Sequence, residues 1–227
     1  MTISFIPASE LKQQYAVLGH FYSLHFPGFE PVKCRSVLEI TAKNSEIDPV
    51  ADAVFIMMNP GSSRPVKKKC QFVDAGSISK MQTELVSTVP DTTQYQLMRV
   101  MHYKRWQRVR VINLSDLRDP QSGSFTQRYA QLEIETGSAV HSMFSEERSA
   151  QLSFHLSRKL DGPIVCAWGV SDDLNPLIDR ATKAMRSEQG VTGLAKPGQA
   201  GKYFHPLPLL QPQKEQWVVQ MLERLNA

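Results

Sequence analysis

Apolar positions along the chain fall into two patterns, short unbroken runs and stripes spaced three or four residues apart. Leu11, Tyr15, Leu18 and Tyr22 have helical spacing behind Ser9, a favourable N-cap, and predict a helix over 9–24. Residues 37–41 read as a strand. The segment 53–58 is apolar throughout and bounded by Asp52 and by Pro60-Gly61, the pattern of a strand covered on both faces. Residues 64–89 are polar and irregular, and so long a connection is functional or mobile. Leu97, Met98 and Met101 predict a helix over 93–106, which leads into Val109, Val111 and Ile112, a second buried strand ending at Asn113.

A loop rich in Asp, Ser and Gly spans 115–124, Ser145 caps a helix to about residue 160, and 163–168 is a third buried strand stopped by Gly169. Ser171, Asp172 and Asp173 start a helix whose Leu174, Leu177, Ile178, Ala181 and Met185 form one stripe. A short strand over 191–194 and a loop to His205-Pro206 follow. The last helix starts at Pro212 and runs through Trp217, Val218, Met221, Leu222 and Leu225. Strands alternating with amphipathic helices predict an α/β fold, a three-layer αβα sandwich around a mainly parallel four-stranded sheet. The organisation expected is one domain over 1–227, with 1–50 a helix-and-strand extension and 51–227 the core.

Composition narrows the class. Three cysteines, Cys34, Cys70 and Cys166, are an odd number without a CxxC pair, so neither a disulfide framework nor a zinc knuckle is expected, and no metal or cofactor. No apolar run reaches the roughly 18–20 residues of a membrane span, and the first residues lack a basic stretch followed by an apolar one. The expectation is a reduced, cytoplasmic monomer without membrane attachment. The net charge of +4 leans toward an anionic partner. It is concentrated in Arg64, Lys67, Lys68 and Lys69, and in Arg99, Lys104, Arg105, Arg108 and Arg110 around Tyr103 and Trp106. Solvated faces are the plain alternative.

Ligands of open parallel sheets bind at the carboxyl edges of the strands. Met58-Asn59-Pro60-Gly61-Ser62-Ser63, Ile112-Asn113-Leu114 and Ala167-Trp168-Gly169 stand at three such edges, and His205-Pro206-Leu207-Pro208-Leu209 precedes the last helix. Asn59, Asn113 and His205 are therefore expected around one cleft.

Asn59-Pro60-Gly61-Ser62-Ser63 resembles the water-activating motif of the mismatch-specific uracil/thymine DNA glycosylases. His205-Pro206-Leu207-Pro208-Leu209 is similar to the second signature of the uracil-DNA glycosylase superfamily, and Asn113 to its base-reading Asn. Phe72, thirteen residues after Asn59, is near the spacing of the family's stacking aromatic. In that order, over roughly 50–225, the motifs also look like an uncharacterised bacterial and phage domain family.

The resemblance implies a DNA glycosylase that flips a modified or mispaired pyrimidine and hydrolyses its N-glycosidic bond. It implies Asn59 positioning water and His205 donating to the leaving base as the catalytic pair. Asn113, Phe72, Pro60 and Gly61 then surround the base, and Ser62, Ser63, Arg64, Lys67, Lys68, Lys69, Leu207 and Leu209 meet single- or double-stranded DNA.

Two departures bear on the substrate. Gly61 stands where the main uracil enzymes carry a Tyr that blocks the pyrimidine C5, so a C5-modified base, as in phage DNA under antiviral attack, fits. Leu207 replaces a phosphate-binding Ser. Each residue also has a plainer reading: Asn59 and Asn113 as turn and strand-end residues, His205 as a structural histidine, Phe72 as core, and Leu209 as a staple for the last helix. His20, His25, His102, His141 and His155 have no ligand spacing. Alternative functions are a small-molecule nucleoside or nucleotide N-glycosidase and a noncatalytic nucleic-acid-binding protein.

Overall fold

The computed structural model describes residues 3–43, 48–67 and 70–226. The strands are β1 (Tyr15–His25), β2 (Val32–Ala42), β3 (Ala53–Met57), β4 (Arg64–Pro65), β5 (Gln71–Asp74), β6 (Val86–Val89), β7 (Arg108–Asn113), β8 (Ile164–Cys166) and β9 (Val191–Thr192). They form one mixed sheet in the order β4-β6-β1-β2-β7-β3-β8-β9, with β5 also paired to β1. The expected four-stranded, mainly parallel sheet is thus too small. The strands β7, β3, β8 and β9 do run parallel, but β2 joins β7 antiparallel and β1 joins β2 antiparallel.

The helix expected over 9–24 is corrected for the same reason. A short helix, α1 (Ala8–Gln14), ends at Tyr15, where the backbone turns extended and β1 begins. Leu11, Tyr15, Leu18 and Tyr22 satisfy helical spacing, yet Tyr15, Val17, Phe21 and Tyr22 belong to the residue types that favour strands. Pairing with β2, from Tyr15 opposite Ala42 to Leu24 opposite Val32, decides the contest. Within the 1–50 extension, β2 continues the sheet directly beside β7.

The remaining helices are α2 (Thr92–Lys104), α3 (Ser122–Thr136), α4 (Ser149–Leu156), α5 (Asn175–Ala184) and α6 (Gln211–Arg224). Alternation along the central strands sorts them into two layers. Val54 and Ile56 of β3 pack with Phe125 and Tyr129 of α3, Leu152 of α4 and Leu177 of α5. Ala53, Phe55 and Met57 pack on the other face with Leu11 of α1, Leu97 and Met101 of α2 and Trp217 and Met221 of α6. A strand covered on both faces reads as a continuous apolar run, as β3 does.

Two further differences concern helix ends. α3 takes the last three residues of the 115–124 loop and continues through 125–136, where no element is expected, because its first turn, Ser122-Gly123-Ser124, is poor in helix formers and Gln121 provides no side-chain cap. Phe125, Tyr129 and Leu132, followed by left-handed Gly137, were its available signal. The helix expected from Ser145 to about residue 160 is a 3₁₀ turn, Glu146–Arg148, and then α4, which stops at Leu156. Among the described residues no helix is long and apolar enough to cross a membrane.

Candidate active-site cleft

The carboxyl ends of β3, β7 and β8 open into a cleft of about 600 Å³, and Asn59, Asn113 and His205 all line it. The volume falls within the ordinary range for small-ligand pockets. Arg35, Asp91 and Trp168 share the lining.

Asn59 is brought there by the continuation of β3 past the sheet. The Leu114 N–H donates to Met57 O and the Ser115 N–H to Met58 O, so the exits of β3 and β7 stay bonded side by side. Pro60 and left-handed Gly61 (φ 60°) then turn the chain, with the Ser63 N–H donating to Pro60 O. Asn59 Nδ2 donates to Asp119 O at 2.7 Å and to Leu117 O at 3.4 Å. With both amide hydrogens committed to that loop, the carbonyl Oδ1 is the group left to accept a hydrogen bond from a ligand or water.

The loop is itself firmly tied. Ser115 Oγ is 2.8 Å from His141 Nδ1, and His141 Nε2 is 2.8 Å from Glu133 Oε1. This connectivity is that of a Ser-His-acid triad, but Ser115 and His141 are fully buried and line no part of the cleft, so the set is a brace. Burial would raise the Glu133 carboxyl, but the His141 and Arg180 hydrogen bonds override it and bring it down to about 2. Asp116 reinforces the loop by accepting from Tyr22 Oη and Arg148 Nη1, each at 2.7 Å. Asp119 accepts from the Gln121 N–H, Ser124 Oγ and Arg128 Nη1.

Asn113 is completely buried at the end of β7. Its amide nitrogen faces Asn59 O at 3.2 Å and its oxygen faces Arg35 Nη2 at 3.1 Å, the orientation that gives both groups a partner. Half its hydrogen-bonding capacity is therefore spent on positioning Asn59 and Arg35, leaving one N–H and one lone pair.

His205 arrives from the other side. Gly169, at φ 106° after β8, donates its N–H to Tyr203 O and pins the 203–205 segment to the strand end. Gly193 permits that approach, since a Cβ there would lie 2.4 Å from Cys166 O and 2.5 Å from Tyr203 Cδ1. Trp217 Nε1 donates to Phe204 O at 3.1 Å and Gln96 Nε2 to Pro206 O at 2.8 Å, so α6 and α2 both hold the loop. The Leu207 N–H donates to His205 Nδ1 at 3.1 Å. Nδ1 must therefore be the acceptor nitrogen, and the proton of the neutral ring sits on Nε2. Burial pushes the imidazole down to about 4, so the ring is neutral at pH 7.

The other anticipated residues divide. Pro60, Gly61, Ser62, Leu207 and Leu209 line the cleft, and Leu209 is 94% exposed at its mouth. Phe72 is outside it: it stands on β5, 59% exposed, with its ring 5.2 Å from that of His25. The fixed spacing from Asn59 fails because β5 pairs with distant β1. Ser63, expected to meet phosphate, is buried, whereas Arg64 and Lys67 are exposed but do not line the cleft. Lys68 and Lys69 lie outside the described residues.

The second basic cluster is largely consumed internally. Arg108 and Arg110 pair with Glu39, Arg99 bonds Ile6 O and Gln96, and Lys104 bonds Leu225 O. Arg35 and Asp91 are site residues that sequence reasoning missed. Neither stands in a motif, and Asp91 caps α2 by accepting from the Gln94 N–H.

No protein-family model, curated protein or solved structure matches this chain.

Proposed function

We propose that the chain is a monofunctional DNA glycosylase of the uracil-DNA glycosylase superfamily, excising a modified or mispaired pyrimidine by hydrolysis of its N-glycosidic bond. The observation that carries this reading is the convergence of Asn59 and His205, distant in sequence, on one cleft, each with its hydrogen-bonding direction set by a backbone partner.

An extruded nucleotide enters the cleft with its sugar toward Asn59. Asn59 Oδ1 accepts a hydrogen bond from a water and holds its oxygen toward C1′ as the sugar takes on oxocarbenium character. An amide is no base at neutral pH, so the rate comes from stabilising the leaving group. His205 Nε2–H donates to a ring carbonyl oxygen on which negative charge accumulates. Being neutral, the ring acts as a hydrogen-bond donor and does not hand over its proton. The free N–H and lone pair of Asn113 suit the mixed donor and acceptor edge of a pyrimidine. Leu209, stiffened by Pro206 and Pro208, fills the space the base leaves.

Gly61 bears on the choice of base. A Cβ at that position would meet nothing within 4 Å, so the wall there leaves room for a C5 substituent. A C5-modified pyrimidine of phage DNA is the corresponding substrate, with antiviral defence the corresponding role.

The test incubates the protein with duplexes carrying uracil, thymine mismatches or C5-modified cytosines and reveals abasic sites by alkali cleavage. Wild type produces them on at least one duplex, and His205→Ala slows release about 100- to 1,000-fold with DNA affinity retained. Absence of abasic sites from every duplex overturns the proposal. Tight DNA retention without any product favours a binding protein, and release confined to free nucleosides favours a small-molecule glycosidase.

A further inference from the structure

Arg35 is a cation in an unusual position. It stands on β2 and lines the cleft, yet is only 3% exposed. Of its five N–H donors, one Nη2 hydrogen meets Asn113 Oδ1, and Nε is buried without a partner. The largest opposing charges it feels are Asp91 and then Asp116. Asp91 caps α2 through the Gln94 N–H, and Asp116 is bonded to Arg148 and Tyr22. A buried charge left without matched partners is costly, and a ligand that completes it recovers part of that cost on binding.

The Asn113 contact relates this charge to the proposed site. Asn113 spans Arg35 on one side and Asn59 O on the other, so Arg35 stands behind the amide that faces the base and on the same wall. We propose that Arg35 is the anion anchor of the cleft, taking the delocalised negative charge of a planar pyrimidine as it departs. This inference rests on the glycosylase reading. In the step it serves, the C1′–N bond breaks with its electron pair kept by the base, and the water oxygen bonds to C1′. The water's proton passes to solvent, and the released base recovers a proton from solvent. A fixed cation in a site of low polarity stabilises the base anion far more than the neutral base, which selects the transition state over the ground state. Arg35 complements His205: the imidazole contributes a neutral dipole and the guanidinium a full charge.

The test compares wild type, Arg35→Gln and Arg35→Lys in single-turnover release of uracil and of the more acidic 5-fluorouracil from otherwise identical duplexes. If Arg35 carries leaving-group charge, Arg35→Gln slows uracil release about 100-fold and 5-fluorouracil release several-fold less, with Arg35→Lys between. Equal slowing of both bases, or no slowing, overturns the proposal.

A second measurement needs no turnover. Free 5-nitrouracil, whose anion is coloured, should ionise at lower pH when bound to wild type, and Arg35→Gln should lose that shift. Absence of the shift in wild type overturns the proposal, as does inorganic phosphate that binds in an Arg35-dependent manner and displaces the base, which would make this a phosphate site. Failure of wild type to release any base sinks the glycosylase reading alone, because nitrouracil ionisation still reports on Arg35. Should Arg35→Gln not fold, Arg35→Lys carries both arms with smaller expected changes.

Discussion

Replacing Asn59 by Asp tests the local geometry more sharply than deleting the side chain. A carboxylate is the stronger base, so on chemistry alone Asn59→Asp should be harmless or beneficial. The contacts of this side chain argue otherwise. The nitrogen that Asp lacks donates to Asp119 O at 2.7 Å and to Leu117 O at 3.4 Å. An oxygen there would face two carbonyl oxygens, losing about 1 kcal/mol for the shorter bond and 1–3 kcal/mol for carbonyl and carboxylate groups left without donors. A net loss of about 2–4 kcal/mol corresponds to a melting temperature lower by roughly 4–16 °C for a chain of this size. Protonating the new carboxyl restores a donor, so its pKa rises and the penalty shrinks as pH falls. Thermal unfolding of wild type and Asn59→Asp at pH 8 and pH 5 measures both effects. The expected pattern is a large deficit at pH 8 and a smaller one at pH 5. A variant that melts with wild type at pH 8 would refute the assignment of the amide nitrogen to the 117–119 loop, and with it the argument that Oδ1 is the group turned to the ligand.

Other outcomes follow from the same contacts. Asp116→Asn leaves the fully buried Arg148 guanidinium without its counter-charge, so unfolding free energy should drop by about 3–5 kcal/mol, read by denaturant titration; a loss under 1 kcal/mol would contradict the buried pairing. Acid sensitivity should appear early. Burial, with Arg110 and Arg148 nearby, pushes His155 to about 3, and burial lowers His205 to about 4 and also lowers His20. Each is neutral when folded, so below the ordinary value of 6.5 the unfolded chain binds more protons. Stability from these groups is full above about pH 6.5 and is lost as pH falls toward 4, by several kcal/mol together at about 1.4 kcal/mol per pKa unit. A melting temperature flat from pH 7 to pH 4.5 would refute it.

What the sequence determined by itself is what short-range pattern encodes. The apolar runs of β3 and β8, the Val109, Val111 and Ile112 of β7, the stripe of α5 and the Pro-Gly turn after Asn59 are local features, legible because a buried strand or a helix with one apolar face leaves its period in neighbouring residues. Three such strand ends and one signature loop were enough to anticipate that Asn59, Asn113 and His205 share a cleft.

Pairing between distant segments decided the rest. Residues 15–25 satisfy a helical stripe, and only the partner strand 32–42 turns them extended. The same pairing carries β5 to β1 and removes Phe72 from the cleft. It also brings Arg35, a lone arginine in a strand, beside Asn113. The direction in which Asn59 presents its carbonyl depends on two backbone oxygens about sixty residues away, at Leu117 and Asp119. Such hydrogen bonds join groups whose separation along the chain leaves no period, so they emerge only when the tertiary structure brings them together.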